Sequence, residues 1–261
     1  MMKKFRSITD KLYSISALLL VLILWQGIST IELVPRFMLP TPVDVVQAFI
    51  RDFALLMMHA RITLIEAFLG LGLGILMGFI SAVVMDWLEP VRKALYPVIV
   101  VSQTVPAVAI APLLVLWFGY GILPKVVLIV LTTFFPIAVG LFDGFQSADP
   151  DAINLMRSMG ANKGQVFRHL KLPGSIDSFF AALKISTSYS IVGAVISEWL
   201  GGFEGLGVYM TRVIKSYSYD RMFAVIFLIS FISLLLMGLV NNLHKRMTPW
   251  DQPELMETDN L

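Results

Sequence analysis

An all-α integral membrane protein with six transmembrane helices is the fold this sequence predicts, and three observations carry the prediction. Hydrophobic residues make up 57% of the chain and charged residues only 15%, whereas a soluble domain carries about a quarter charged. The mean hydropathy is +0.80. Six apolar runs, at 13–31, 62–85, 95–118, 122–142, 179–200 and 222–243, match the ~20 residues a transmembrane helix needs.

The first run follows Lys3, Lys4, Arg6 and Lys11, as a secretory signal would. It is longer than a signal-peptide core and no small-x-small cleavage site follows, so it reads as a retained span. Six spans put both termini on one side of the membrane. With the N-terminus inside, the inner segments hold Lys3, Lys4, Arg6, Lys11, Arg92, Lys93, Arg157, Lys163, Arg168, Lys171, Lys245 and Arg246. The outer segments hold fewer cations: Arg36, Arg51, Arg61, Lys125, Arg212, Lys215 and Arg221. The positive-inside bias therefore places both termini in the cytoplasm. The expected divisions are a cytoplasmic N-terminus (1–12), a membrane domain (13–243) and a cytoplasmic tail (244–261).

The second span carries Gly70, Gly74, Gly78 and Ala82 at every fourth position, with Glu66 continuing the row. Such a ridge lets another helix backbone approach closely. The third span contains Pro97, Pro106 and Pro112, and the fourth contains Pro136. Each proline strips a hydrogen bond from the carbonyl four residues earlier and kinks its helix. Lipid cannot satisfy a freed carbonyl, so the breaks must face protein or a watered cavity. Ser102, Gln103 and Thr104 flank Pro106 and fit either simple helix packing or the lining of a solute path. In the fifth span Ser186, Ser190, Gly193 and Ser197 share one narrow face, with Tyr189 beside it. Lys184 lies close enough to the span edge to snorkel. Glu198 opens a loop with Gly201, Gly202, Gly205 and Gly207, which reads as an outer gate or as a plain turn. The candidate path is Ser102, Gln103, Thr104, Pro106, Ser186, Tyr189, Ser190 and Glu198. The acidic tail (Asp251, Glu254, Glu257, Asp259) reads as a solvated, disordered end.

Between the fourth and fifth spans lies a polar insert, 149–173. Asp149-Pro150 has the form of an N-cap followed by proline at the first helical position. Ala152, Leu155, Met156 and Met159 fall on one helical face. Gly160 sits where a left-handed C-cap residue belongs. Asn162 and Gln165 have the spacing of a capping box opening a second short helix, which Leu172-Pro173 ends. The pattern fits an interfacial linker or a knob held out for a cytoplasmic partner.

Asp151-Ala152, Gly160 eight residues later and Leu172-Pro173 resemble the coupling loop of ATP-binding-cassette importer permeases, whose pattern runs E-A-A, Gly, Leu-Pro. Asp151 stands for the usual Glu and Ile153 for the second small residue. "LPTPVDVVQAF" (39–49), "VSQTVPAVAIAPLLVLWFGYG" (101–121) and "SEWLGGFEGLG" (197–207) are similar to segments of the sulfonate, taurine, nitrate and thiamine-precursor subfamily. The run S-Q-T-x-P-x-x-A-x-A-P is closer to members for riboflavin or pyrimidine vitamin precursors. The resemblance implies the type I importer permease fold and a coupling loop between the fourth and fifth spans that docks on a cytoplasmic ATPase. Asp151, Ala152, Leu155, Met156, Arg157, Met159, Gly160, Leu172 and Pro173 are then the docking residues. The implied partners are two ATPase subunits, an extracytoplasmic solute-binding protein, membrane lipid and a second permease copy, and the implied cargo is a vitamin precursor or, alternatively, a sulfonate, taurine or nitrate.

Other classes find little in the residues. Zero Cys excludes disulfides and thiolate chemistry, and a net charge of +2 gives no footprint for nucleic acid. A membrane-embedded enzyme would need clustered catalytic carboxylates or His, but His59, His169 and His244 fall in separate segments without metalloprotease spacing. No phosphate-cradling loop motif is present, so ATP would be bound by a partner and the chain itself would need no cofactor. An ion-coupled carrier would favour mid-span charges and inverted repeats, neither of which stands out.

Overall fold

The computed structural model describes residues 2–35 and 37–249, so Arg36 and most of the tail, including Asp251, Glu254, Glu257 and Asp259, lie outside the described residues. Every regular element among the described residues is a helix. In order these are α1 (Met2–Thr30), α2 (Pro42–Arg51), α3 (Phe53–Trp87), α4 (Glu89–Ser102), α5 (Ala107–Phe118) and α6 (Ile122–Gln146). They continue as α7 (Pro150–Ser158), α8 (Lys163–Val166), a π turn (Phe167–Lys171), α9 (Leu172–Gly174), α10 (Ile176–Gly201), α11 (Leu206–Lys215) and α12 (Tyr219–Met247). Helices α3, α6, α10 and α12 are each long and apolar enough to cross a membrane, and the bent pair α4–α5 makes a fifth if taken as one span. The first expected span falls on α1, whose apolar stretch is Leu19–Thr30.

Two compact units divide the chain, Met1–His59 with Tyr209–Leu228, and Ala60–Val208 with Ile229–Leu261. In the first, Trp25 stacks on Phe227 at 5.8 Å and donates its indole N–H to the Pro40 carbonyl at 3.0 Å. Thr41 and Asp44 cap α2 reciprocally, with Pro42 at its first position. The Tyr209 hydroxyl donates to Asp52 at 2.8 Å, and Arg221 pairs with the same carboxylate at 3.0 Å. Burial, then the Asp52 carboxylate beside it, pushes the Tyr209 phenol above its ordinary range.

The second unit is built on α6. The glycine ridge of α3 lies against it in register, Gly70 on Ile129, Gly74 on Thr133 and Gly78 on Ile137. Both sets of numbers rise together, so α3 and α6 run parallel. Helix α10 packs on α6 the other way: Gly193 faces Thr132, Ser186 donates to the Thr133 carbonyl at 3.0 Å, and Gly140 faces Ala182. These pairings fall as the other rises, so the two helices are antiparallel. Helix α12 follows α6 in direction, for Leu236 packs with Ile129 and Ile191 while His244 reaches Asp177 at the start of α10.

At Pro106 the structure departs from the expected kink. Helices α4 and α5 meet at 101° across Gln103–Pro106. Pro106 has no N–H to continue the helix, and the Ser102 carbonyl it frees accepts instead from the Val105 amide at 3.2 Å. The pair still traverses the unit. Tyr96 of α4 meets Phe142 near the end of α6 at 5.3 Å. Leu114 of α5 packs with Leu128 near the beginning of α6, and Val115 packs on Gly201. The two arms thus reach toward opposite ends of α6. Pro97, Pro112 and Pro136 stay inside their helices.

Since a Cβ at Gly74 would fall on the Thr133 hydroxyl, Gly74→Leu is expected to separate α3 from α6 and to lower the yield of monodisperse protein severalfold, overpacking costing ~1–3 kcal/mol or more. Gly72 has nothing within 4 Å of an added Cβ, so Gly72→Leu should be tolerated. Fluorescence-detected size exclusion of membrane extracts compares the two, and equal yields would remove the ridge as the contact.

Candidate functional site

Three features of the second unit merit a functional reading: the exposed loop at one end, a cavity beside the break, and a buried ionic cluster at the other end.

The loop takes the form its residues expect. The Asp149 side chain caps α7 by accepting from the Asp151 amide at 2.9 Å, with Pro150 at the first position. At the far end the Gly160 amide donates to the Arg157 carbonyl at 2.9 Å and the Ala161 amide to that of Met156 at 3.0 Å. That is the Schellman closure, and it requires the left-handed backbone seen at Gly160, φ +87°. No residue of α7 is buried, and Leu155 and Met159 are 63% and 80% exposed. Ala152 and Met156 are half-buried, while Asp151 and Arg157 are exposed. Asn162 and Gln165 exchange capping bonds at 2.8 and 2.9 Å.

Leu172-Pro173, expected to end the second helix, does not end it. The chain passes through the π turn, in which the Leu172 amide reaches back to the Phe167 carbonyl. The wider turn accommodates Pro173, which has no amide to donate, and the helix carries on through α9 to α10. Phe167 wedges this segment against Phe145 at 5.1 Å and Trp87 at 6.1 Å. The insert is thus seated on the ends of α3 and α6 by aromatic packing, and α7 projects from that seat.

The cavity, of about 590 Å³, lies at the α4–α5 break between α5, α6 and α10. Its polar groups are Ser102, Gln103, Thr132 and Tyr189, set among Pro106, Phe135, Val192 and Ile196. Thr132 was not among the residues expected on a path, although it is the residue whose carbonyl Pro136 frees. Ser186 and Ser190 do not line the cavity. They are buried at 0% and 1% exposure, Ser186 bonding α6 and Ser190 its own helix at the Thr187 carbonyl. Their narrow face is the face α10 turns to α6, and Tyr189, half exposed, projects beside it. Thr104 is exposed and bonds the Val101 carbonyl at 2.7 Å.

Glu198 also lies away from the cavity, in a buried cluster at the opposite end from the loop. Lys125 donates to Glu66 at 2.6 Å, and these side chains are only 6% and 4% exposed. Glu198 accepts from the Thr63 hydroxyl at 2.7 Å and the Gly207 amide at 2.6 Å. Thr63 in turn accepts from the Leu206 amide at 2.9 Å. The glycine-rich loop is therefore pinned onto α3 by the carboxylate that opens it. Gly205, at φ +126°, comes so close to the Glu198 carboxyl group that an added Cβ would overlap it. His244 sits apart, 2.7 Å from Asp177 and stacked on Phe180.

Comparisons with known proteins agree with this arrangement. The profile of the family described as "Binding-protein-dependent transport system inner membrane component" matches residues 70–249. The formylaminopyrimidine transport permease protein ThiX of Halalkalibacterium halodurans is 37% identical over 89% of this chain and 93% of its own. The riboflavin transport system permease protein RibX of Chloroflexus aurantiacus is 30% identical over 90% of this chain and 88% of its own. A solved bacterial ABC transporter involved in the import of the acidic polysaccharide alginate superposes with a TM-score of 0.65 at 16% identity, over 94% of this chain and 99% of its own, which shows the shared fold.

The ionic cluster generates a prediction. Lys125→Met leaves Glu66 and Glu198 buried without their cation, a loss of typically ~3–5 kcal/mol, and should sharply reduce the melting temperature and yield. Glu66→Met/Lys125→Met removes the pair together and should recover most of both. A Lys125→Met protein that melts like the parent would show that the cluster does not hold α3 to α6.

Proposed function

The chain belongs to the family of binding-protein-dependent transport system inner membrane components, and from that premise we propose that it carries a small heterocyclic vitamin precursor, of the pyrimidine or riboflavin kind, through the cavity at the α4–α5 break. As a family member it is the non-catalytic permease subunit of an ABC importer, in the inner membrane, with ATP hydrolysed on a separate subunit. The structural observation that carries the cargo reading is the lining of the cavity. Phe135 and Tyr189 supply aromatic rings and Ser102, Gln103 and Thr132 supply hydrogen-bonding edges, which together suit a flat, polar-edged ring. The identities to the formylaminopyrimidine and riboflavin permeases support the same class.

In this reading α7 is the coupling helix. Its exposed Leu155 and Met159 enter a groove on the ATPase, Gly160 sets the angle of approach, and both termini lie with it in the cytoplasm. Two copies of the chain form a homodimer, because one chain supplies one coupling helix and an ATPase pair needs two. A binding protein delivers the solute at the end marked by the Glu198 loop.

Transport is tested in proteoliposomes holding the permease, its ATPase and its binding protein, with labelled formylaminopyrimidine and with riboflavin and taurine as competitors. Uptake of the pyrimidine, competed only by heterocycles, is the expected result, and a preference for taurine would overturn the cargo reading. Single cysteines at Ser102, Gln103 and Tyr189, in a chain with none of its own, should react with small water-soluble thiol reagents and change reactivity when ATP is trapped. Cysteines at the buried Ser186 and Ser190 should stay inert. Equal reactivity at all five positions would remove the cavity as the path.

Gly160→Val places a β-branched residue in a left-handed conformation, a strain of at least ~1 kcal/mol, and Leu155→Glu puts a charge into an apolar groove. Both should leave membrane abundance unchanged while ATPase co-purification and uptake fall at least severalfold. Full association in both variants would reduce α7 to a linker.

A further inference from the structure

A second, smaller recess lies at the loop end of the second unit, away from the cavity. Its volume is about 270 Å³, and its walls come from the end of α3, the start of α4, α7, α8 and the π turn. Arg92, Arg157, Lys163 and Lys171 face it, against only Asp86 and Glu89. The acids are already engaged. Asp86 is held by Lys171 at 2.6 Å and by Gln146 at 2.9 Å. Glu89 pairs at 3.0 Å with Lys93, which does not line the recess, and more loosely with Arg92 at 3.7 Å. Arg157 and Lys163 hold no hydrogen bond or ion pair among the described residues. The recess therefore has an excess of two positive charges, two unpartnered cations, and room for a group larger than water. Trp87, on its wall, is 52% exposed beside Leu88 at 51%, at the end of the apolar run of α3, a position suited to the headgroup level of a bilayer.

We propose that this recess is a binding site for a phosphate-bearing anion, either a phospholipid headgroup or a soluble phosphate ester, which fastens α7 and α8 to the ends of α3 and α4. Guanidinium forks from Arg92 and Arg157 match phosphate oxygens in pairs, and Lys163 and Lys171 add point charges. Basic recesses between spans on the cytoplasmic side are suited to anionic headgroups. Arg92 sits at the start of α4 and Arg157 on α7, so one anion between them ties the loop to the spans. The consequence for coupling rests on the role proposed for α7, but the binding does not.

The test uses the permease–ATPase complex in nanodiscs, where both membrane faces are open to solvent and topology does not decide access. Two probes separate the sources: phosphatidylglycerol mixed into phosphatidylcholine, retained lipid being counted by native mass spectrometry, and glycerol phosphate titrated into pure phosphatidylcholine discs. Arg92→Gln/Lys163→Gln is compared with Lys245→Gln/Arg246→Gln, which removes the same charge from exposed positions that do not line the recess. The first pair should weaken at least one probe about tenfold, with Lys163→Gln alone giving an intermediate loss, and the control pair should change it less than about twofold. Loss confined to the lipid probe assigns the site to a headgroup, and loss of glycerol phosphate assigns it to a soluble ester. Equal behaviour of the two pairs overturns the proposal. So does a recess variant that keeps both anions but sheds the ATPase, because the recess then receives an acidic side chain of that partner.

Discussion

The contact between the glycine ridge of α3 and the Ile129–Thr133–Ile137 row of α6 is the constraint on which the second unit depends. In a bilayer no hydrophobic force drives helix to helix, so close packing and polar ties must hold them. The ridge brings the α3 backbone onto the side chains of α6, and it does so in parallel register. Parallel register in turn puts Glu66 beside Lys125 at one end and Asp86 beside Gln146 at the other. Each end is thereby closed by a polar tie, with apolar packing between them. Helix α10 uses glycines of α6 in the same way, Gly140 and Gly144 admitting Ala182 and Ser178. With α3 and α10 both drawn against it, α6 becomes the post of the unit.

The α4–α5 break follows from what such a post leaves over. A straight helix beside α5, α6 and α10 would fill the space between them, whereas a chain turning through 101° at Gln103–Pro106 leaves a cavity there. The turn satisfies its own backbone, through the Val105 amide on the Ser102 carbonyl and the Thr104 amide on that of Val101. That internal closure lets irregular backbone exist at membrane depth, next to a cavity. The Gln103 side chain then remains free to face the cavity, while the Ser102 hydroxyl donates to the Val98 carbonyl at 2.6 Å and keeps its lone pairs to accept.

What the sequence could reveal divides along the distance between partners. The loop was legible almost residue by residue, because Asp149, Gly160, Asn162 and Gln165 act on backbone only a few positions away. The glycine ridge was legible as a ridge, though not its partner helix. The Glu66–Lys125 pair was invisible, because its members are 59 residues apart and only the α3–α6 register joins them. Ser186 and Ser190 were placed on the correct face with the wrong neighbour in view. A polar stripe reads the same whether it meets solute or the backbone of a neighbouring helix, and the Thr133 carbonyl that Ser186 reaches is not the one Pro136 frees, so no residue pattern marked it. Leu172-Pro173 read as a stop because an α-helix offers proline no place there, and a π turn is not visible in residue spacing.

Helix α10 joins the parts in one uninterrupted element. It starts beside Ser175, after the π turn and the short α9, and runs 26 residues to Gly201, ~39 Å at the rise of an α-helix. Tyr189, Val192 and Ile196 line the cavity from its middle, and Glu198 pins the glycine-rich loop at its far end. A displacement at the seat of α7 would thus be carried without a hinge past the cavity to the Glu198 cluster. One partner of α10 does not share its continuity, for α4–α5 is already broken alongside the cavity. Sliding α10 along α5 disturbs one close seat, Val115 on Gly201, whereas sliding it against α6 must unseat Ala182 and Ser178 from Gly140 and Gly144 and Thr132 from Gly193. The same packing that makes α6 the post therefore leaves the α5 side of the cavity as the wall that can yield.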